Sequence, residues 1–140
     1  MASKVYPKAV KKFIDNDIDF VTDTIKMMLV DNTFAYANTS EFVSDIVATE
    51  LNATNYARQT MTTKIVTVSG DNVILDADDV AFGALGGAAN DTIGGCIIFK
   101  DTGGADSTNA VIAFIDVADL LTNGSSVTAQ LAATPIQLAT

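Results

Sequence analysis

The sequence predicts a mainly β domain, an antiparallel β-sandwich or jelly-roll, with one short α-helix and an extended N-terminal arm. Short runs of apolar and β-branched residues recur along the chain, and turn-forming Gly, Asn and Asp residues separate them. Only the segment at about 40–51 predicts a clear helix, whereas a parallel sheet would need a crossover helix between most of its strands. A chain of 140 residues is long enough for one buried core, so we expect a single domain.

The N-terminal arm, residues 1–18, is predicted to be extended or partly helical and is distinguished by its positive charge. It also carries a small apolar stripe, formed by Val10, Phe13, Ile14 and Ile18. Its lysines are Lys4, Lys8, Lys11 and Lys12. The first twelve residues contain no acid, so residues 13–140 carry a net charge of −13 against −9 for the whole chain. The acidic β domain, residues 19–140, should repel nucleic acid phosphates, so no nucleic acid partner is expected. The four lysines are instead the candidate contacts to an acidic protein surface or to a neighbouring subunit.

The single predicted helix at 40–51 rests on a capping pattern and an apolar stripe. Asn38 followed by Glu41 resembles a capping box. The stripe consists of Phe42, Val43, Ile46, Val47 and Leu51. These positions fall on one face of a helix with 3.6 residues per turn, so this face is predicted to pack on the core.

The strands are predicted from β-branched content and alternation. The first covers about 19–30, where alternating polar and apolar residues give way to residues that are apolar on both faces. A strand, a turn and a strand follow within 56–75, because Ser69-Gly70-Asp71-Asn72 supplies turn chemistry between two apolar runs. Further strands are expected at 95–100 and 111–116, with a last pair at 126–131 and 136–139.

The segment 82–95 is predicted to be a long surface loop. It contains five glycines and three alanines, and glycine offers no side chain for packing in a strand or helix. The pairs Gly86-Gly87 and Gly94-Gly95 invite comparison with a phosphate-binding loop, but no Gly-Lys-Ser/Thr follows either pair. No phosphate site is therefore expected.

Residue types that most enzymes depend on are scarce. The chain has no His, which removes most hydrolytic triads and most zinc sites. The single cysteine, Cys96, lies in an apolar run and is expected to be a buried, inert thiol. The cluster Asp76, Asp78 and Asp79 lacks the glycine and the distal glutamate of a calcium loop, so a solvated turn is predicted there. We expect no catalytic residue, metal or cofactor.

The cations of the β domain also have a plain structural interpretation. Arg58, Lys64 and Lys100 lie among strand residues without a nearby nucleophile pattern, and cross-strand ion pairs are predicted for them. No apolar run approaches the roughly 20 residues that a membrane-spanning helix needs, and no signal-peptide pattern begins the chain. Neither membrane insertion nor secretion is expected.

Small and apolar residues are frequent on the predicted strands. Ala, Thr, Val and Ser occupy positions where a monomer usually exposes Lys and Glu. Such surfaces suit burial between subunits. They equally suit the second face of a β-sandwich, and the sequence leaves both interpretations open.

Several segments together resemble a family of small bacteriophage virion proteins. The resemblance is carried by residues 18–30 (IDFVTDTIKMMLV), 56–60 (YARQT), 75–82 (LDADDVAF), 98–103 (IFKDTG) and 111–116 (VIAFID). Each motif is weak alone, but their order and spacing agree over roughly residues 18–140. The basic segment that precedes Asp15 departs from the family pattern.

The resemblance implies a non-enzymatic structural subunit, most specifically a head decoration or cement protein on the outer capsid surface of the virion, made in the bacterial cytoplasm. Its partners would be the major capsid protein and itself, as a homotrimer, and repeated small contacts would stabilise the shell. A tail, neck or head-fibre protein is the alternative, the last using the 83–95 loop to bind glycans. An enzyme is the least favoured class, because no paired carboxylates are evident.

Overall fold

The structure is a computed structural model that describes residues 3–131 and 136–139, with the backbone alone for Ser3 and 136–139. In chain order the elements are β1 Ser3–Val5, α1 Pro7–Ile14, β2 Ile25–Asp31, β3 Gln59–Thr60, β4 Ile65–Ser69, β5 Asn72–Asp76, β6 Val80–Phe82, β7 Thr92–Lys100, β8 Val111–Leu121, β9 Val127–Ala129 and β10 Ile136–Ala139. Short 3₁₀ turns lie at Val43–Asp45, Val47–Thr49 and Asp106–Thr108. The described chain is therefore mainly β with a single α-helix, as predicted.

A five-stranded antiparallel sheet in the order β1-β8-β7-β2-β3 forms the centre of the fold. Its long strands contain runs of consecutive buried residues, at 27–30 in β2, 95–99 in β7 and 111–115 in β8. Successive strand residues point to opposite faces, so both faces of this sheet are covered. The apolar runs in the sequence are the direct cause of this burial.

Two smaller antiparallel sheets, β10-β5-β4 and β6-β9, complete the fold. Leu75 of β5, together with Val80 and Phe82 of β6, belongs to the same buried cluster as the central strands. This arrangement is consistent with the predicted β-sandwich-like fold. The predicted hairpin around 69–72 is confirmed, whereas β9 and β10 pair with β6 and β5 rather than with each other.

The helix predicted at 40–51 is wrong in position. The segment forms two 3₁₀ turns, while the α-helix is α1 in the N-terminal segment. Both ends of the segment are bound to the central sheet, since Phe42 bridges to Ala110 and the N–H of Leu51 donates to the carbonyl oxygen of Leu29. These bonds hold the ends in extended geometry, and β-branched residues between them favour α-helix only weakly. No helix in the described ranges is long and apolar enough to cross a membrane.

The N-terminal segment is part of the domain and not an extended arm. β1 pairs with β8, with Val5 opposite Ala113. Tyr6 is fully buried and Ala9 is 1% exposed. Pro7 supplies the fixed φ of a first helical residue, so α1 begins directly after β1. The boundary predicted at residue 18 therefore does not separate an N-terminal arm from the β domain.

Several predicted boundaries also move; β8, for example, continues to Leu121 and does not end at 116. The strand predicted at 19–30 begins only at Ile25, because the Asp19 carboxylate accepts the backbone N–H groups of Val21 and Thr22 and turns the chain. The loop predicted at 82–95 ends at Thr92, where β7 begins. The glycines at 94 and 95 thus lie inside a central strand, where neighbouring chains approach closely.

Candidate functional site

Two of the predicted contact lysines, Lys8 and Lys12, share one acidic partner within the chain. They lie one turn apart on α1, and their Nζ atoms are 3.3 and 3.1 Å from the two carboxylate oxygens of Glu41. The hydrogen bond from Lys12 lowers the pKa of Glu41. These ion pairs attach α1 to the segment around residue 41. Because one carboxylate neutralises one of the two positive charges, the group of two lysines and Glu41 can offer only a single net positive charge to another molecule.

The other two predicted contact lysines lie at the surface. The Lys4 Nζ is 5.0 Å from the centre of the Tyr36 ring, in a cation–π contact. Lys11 forms an ion pair with Asp15, and its side chain is 76% exposed. The structure therefore places the four lysines on the folded elements β1 and α1, whose lysine-bearing surface we call the basic face, and not on a free cationic arm.

An apolar groove lies between the end of α1 and the β4–β5 hairpin and encloses about 280 Å³. Its apolar lining consists of Phe13, Ile18, Phe20, Val66, Val73 and Leu75. Ile18, Phe20 and Leu75 are buried, whereas Phe13, Val66 and Val73 are partly open to solvent. The apolar stripe noted at the N-terminus thus contributes to this groove, although Ile14 beside it is 79% exposed.

Strand β4 extends this apolar surface to the edge of its sheet. All five of its residues are exposed, including Ile65 at 47%, Val66 at 45% and Val68 at 75%. Val66 and Val68 are paired with Leu75 and Val73, so their side chains lie on the groove side of the hairpin. We call the groove lining together with residues 65–69 the β4 surface.

The β4 surface lacks the features that usually protect an edge strand. Charged residues, proline and bulges commonly prevent an exposed edge from pairing with another chain. Residues 65–69 contain no charge and no proline, and β4 pairs with β5 in unbroken register. The β-branched run predicts β4, but exposure of one side of this strand is not encoded locally, because β-branched runs also occur in buried strands.

Arg58 forms a second notable cluster, between two carboxylates. Its Nε and Nη2 atoms each lie 2.8 Å from an oxygen of Glu50, and its Nη1 lies 2.7 Å from Oδ1 of Asp106. The two carboxylates raise the pKa of Arg58, and the hydrogen bond from Arg58 lowers the pKa of Asp106. The guanidinium donors are thus directed at partners within the chain.

Tyr56 and Phe99 fix this cluster on the central sheet. The Tyr56 hydroxyl donates to Glu50 at 2.8 Å and accepts the N–H of Leu29 at 3.0 Å. The Arg58 guanidinium carbon lies 5.4 Å from the centre of the Phe99 ring. Since every contact joins one part of the domain to another, we assign the cluster a structural role.

The predicted ion pairs of the β-domain cations involve loops more than strands. Lys100 lies 2.9 Å from the carboxylate of Asp23 in the turn before β2, and Lys64 donates to the backbone carbonyl of Asp23. Asp106, a partner of Arg58, lies in a 3₁₀ turn. The expectation of ion pairing is therefore confirmed for Arg58 and Lys100, but the partners do not face them across a strand pair.

The remaining sequence candidates are engaged in local structure. Cys96 is 3% exposed, and burial raises the pKa of its thiol to about 12, as expected of an inert cysteine. Asp78 accepts the Thr63 hydroxyl at 2.6 Å, and Asp79 accepts the N–H of Leu131 at 3.0 Å. Within the described residues, no three His, Cys, Asp or Glu side chains form a group that could hold a metal ion.

Comparison with known proteins does not place the chain in a family. No family model, curated protein or solved structure matches it. The β4 surface and the basic face of β1 and α1 are therefore the features of the structure that bear on its function.

Three carboxylates whose pKa values are lowered in the folded state predict that acid destabilises the fold. Hydrogen bonds from Lys12, Lys26 and Arg58 lower the pKa values of Glu41, Asp101 and Asp106, respectively. A group whose pKa is lowered by folding stabilises the native state above its unfolded pKa, about 4, and that stabilisation is lost as the pH falls through the folded pKa. We expect a nearly constant free energy of unfolding from pH 7 to 5 and a steep decline below about pH 4.

Urea denaturation at pH values from 7 to 2 measures this decline. The chain has no histidine, so no side-chain transition is expected between about pH 6 and 8. A fold that gained stability on acidification from pH 5 to 3 would contradict the assignment of these ion pairs.

Proposed function

We propose that this protein is a structural subunit of a bacteriophage particle, a head decoration or cement protein that binds the outer capsid surface and acts through subunit contacts without catalysis. The observation that carries the proposal is the β4 surface, an exposed apolar edge strand continuous with an apolar groove. Large contiguous apolar surfaces on a folded protein commonly mark places where another protein binds. Sequence resemblance to small virion proteins supports the phage context.

The charge distribution supports a protein partner for a second surface of the subunit, the one formed by β1 and α1. The chain has a net charge of −9, yet Lys4, Lys8, Lys11 and Lys12 are concentrated in β1 and α1. A basic face on an acidic protein favours approach to an acidic surface in one orientation. We assign this face to the contact with the major capsid protein, and the homotrimer that the resemblance implies would repeat the contact and add avidity.

The abundance of the protein in purified virions tests this proposal. Quantitative mass spectrometry should find a copy number comparable to that of the major shell protein, because decoration proteins cover the shell. A few copies per particle would instead indicate a tail or neck part, and absence from the particle would overturn the proposal altogether.

The contribution of the basic face is tested by substitution, because deletion of residues 1–12 would also remove β1 and the buried Tyr6. The double variant K4Q/K11Q should bind undecorated shells more weakly, and the loss should shrink as salt rises. The control K26Q/K100Q removes the same charge from the β domain and should bind as the unmodified protein does, once circular dichroism has shown that both variants fold. Equal binding of the two double variants would exclude this face as the shell contact.

A further inference from the structure

Strand β4 offers the best edge for pairing with another chain. It ends the sheet β10-β5-β4, and its five residues are all exposed. At the other end of its sheet β10 lies beside β1, and β3 at the edge of the central sheet has only two residues. In the described part of the chain, β4 is therefore the longest edge strand that is open along its whole length.

The β4–β5 turn fixes which backbone groups face outward. Ser69 and Asn72 are paired across a two-residue loop, and Gly70 has a φ of +58°, as the first central residue of a type II′ turn requires. The residues that flank such a loop exchange hydrogen bonds, and hydrogen-bonded pairs then alternate along the ladder. Thr67 and Ile65 therefore bond toward β5, whereas the N–H and C=O groups of Val66 and Val68 point to the open edge.

This alternation is compatible with two-fold self-pairing. We propose that β4 pairs antiparallel with β4 of a second copy of the chain, with Thr67 on the two-fold axis. Val66 of each copy then lies opposite Val68 of the other, and these pairs exchange the outward hydrogen bonds. The proposal rests on the association role proposed above and names the partner of the β4 surface. An identical patch on both subunits is what an isologous dimer contact requires.

The side chains complement each other in the same register. Val66 and Val68 of both copies lie on the groove side, so four valines meet in one cluster beside the two grooves. Val68, 75% exposed in one copy, would be covered by this contact. Backbone hydrogen bonds and apolar burial thus act at the same place.

Charge also favours a second copy at this edge. Two molecules of net charge −9 repel each other, but residues 65–70 are uncharged and offer a neutral contact. Lys64 and Asp71 flank this neutral stretch at opposite ends. With Thr67 on the axis, Lys64 of each copy lies opposite Gly70 of the other, next to its Asp71. The antiparallel register therefore places the Lys64 end of each strand beside the Asp71 end of the other, so that like charges do not face each other at the ends of the contact.

The two-fold contact is separate from the three-fold contact of the proposed trimer. If the trimer forms only on the shell, two-fold pairing gives a dimer in solution. If the trimer forms in solution, two-fold pairing joins trimers into even-numbered assemblies. In either case, light scattering should show a mass that is an even multiple of the chain.

A single cysteine at the axis tests the register directly. In T67C the two cysteine Cα atoms would be about 4.5 Å apart, within the span of a disulfide. Mild oxidation should convert most of T67C to a covalent dimer on a non-reducing gel. In the control I65C the two cysteines lie about 13 Å apart, so the cross-link should be largely lost. Cys96 is buried and does not compete for the oxidant.

A second variant keeps the test independent of cysteine chemistry. V68K places two like charges at the paired edge and should reduce the assembly to the single chain or, if the trimer forms in solution, to the trimer. The control L121K changes an exposed residue of β8 and should leave the mass unchanged. A monomeric or three-chain unmodified protein, or equal cross-linking of T67C and I65C, would overturn two-fold pairing. That result would not affect the virion copy number, so pairing and particle role can fail separately.

Discussion

Replacement of Arg58 by Ala is expected to lower the free energy of unfolding by about 3 kcal/mol, since breaking a largely buried ion pair leaves charges without a partner. The guanidinium bonds both Glu50 and Asp106, whose side chains are only 16% and 32% exposed. Without Arg58, both carboxylates face each other across an emptied site, and the Phe99 ring loses the group that covers it. Chemical denaturation at pH 7 measures the loss.

Two control variants separate charge from geometry at this site. R58K keeps the positive charge but cannot reach both carboxylates with a planar fork, so its loss should lie between those of the unmodified protein and R58A. K11Q disrupts the exposed Lys11–Asp15 pair and should leave stability unchanged within error. If R58A were as stable as K11Q, the cluster would not be holding the domain together.

Replacement of Gly94 by Ala should be almost as damaging, with a loss of about 2–3 kcal/mol, as expected for overpacking against backbone that cannot move aside. A Cβ at this position would lie 2.6 Å from the Cα of Asn32 and 2.7 Å from the carbonyl oxygen of Asp31. The register of β7 shifts here against both neighbours, since Val30 pairs with Gly95 while Asp31 pairs with Ile93. Gly94 is therefore the extra residue of a bulge in a central strand.

Gly83 provides the matched control for this substitution. A Cβ at Gly83 would meet no atom within 4 Å. Thermal or urea unfolding should show G83A close to the unmodified protein, or slightly more stable because alanine restricts the unfolded chain. If G94A were as stable as G83A, the bulge would be able to widen, and the close contacts with Asp31 and Asn32 would not be the reason for a glycine at this position.

The β4 surface shows how far sequence reasoning reaches toward a functional site. The β-branched run and the Ser69–Asn72 turn predicted the hairpin correctly, because these signals are local. Whether Val68 would be covered depends on what packs against the hairpin from elsewhere in the chain. The sequence is accordingly compatible with burial between subunits and with burial within a sandwich, and the exposure of β4 in the structure favours the first for this strand.

The prediction of a free N-terminal arm from the four lysines was wrong. A cluster of four cations without acids nearby in sequence predicted a free arm, but Glu41 reaches Lys8 and Lys12 from a distant segment. The prediction of a helix at 40–51 was wrong for a similar reason. Val43 and Ile46 of its apolar stripe are buried as expected, but the two ends of the segment are bonded to β8 and β2. In both cases, contacts distant in sequence outweighed local propensity.

By itself, the sequence determined the mainly β fold class of this protein, the position of the β4–β5 hairpin, the start of strand β8 and the absence of histidine. These properties follow from composition and from patterns of two to four residues, which act locally. Only the tertiary structure decided where the helix lies, why Gly94 must be a glycine, what Arg58 binds, and that β4 remains open to another chain. Each of those depends on the distance between segments that are far apart in sequence, and folding alone sets that distance.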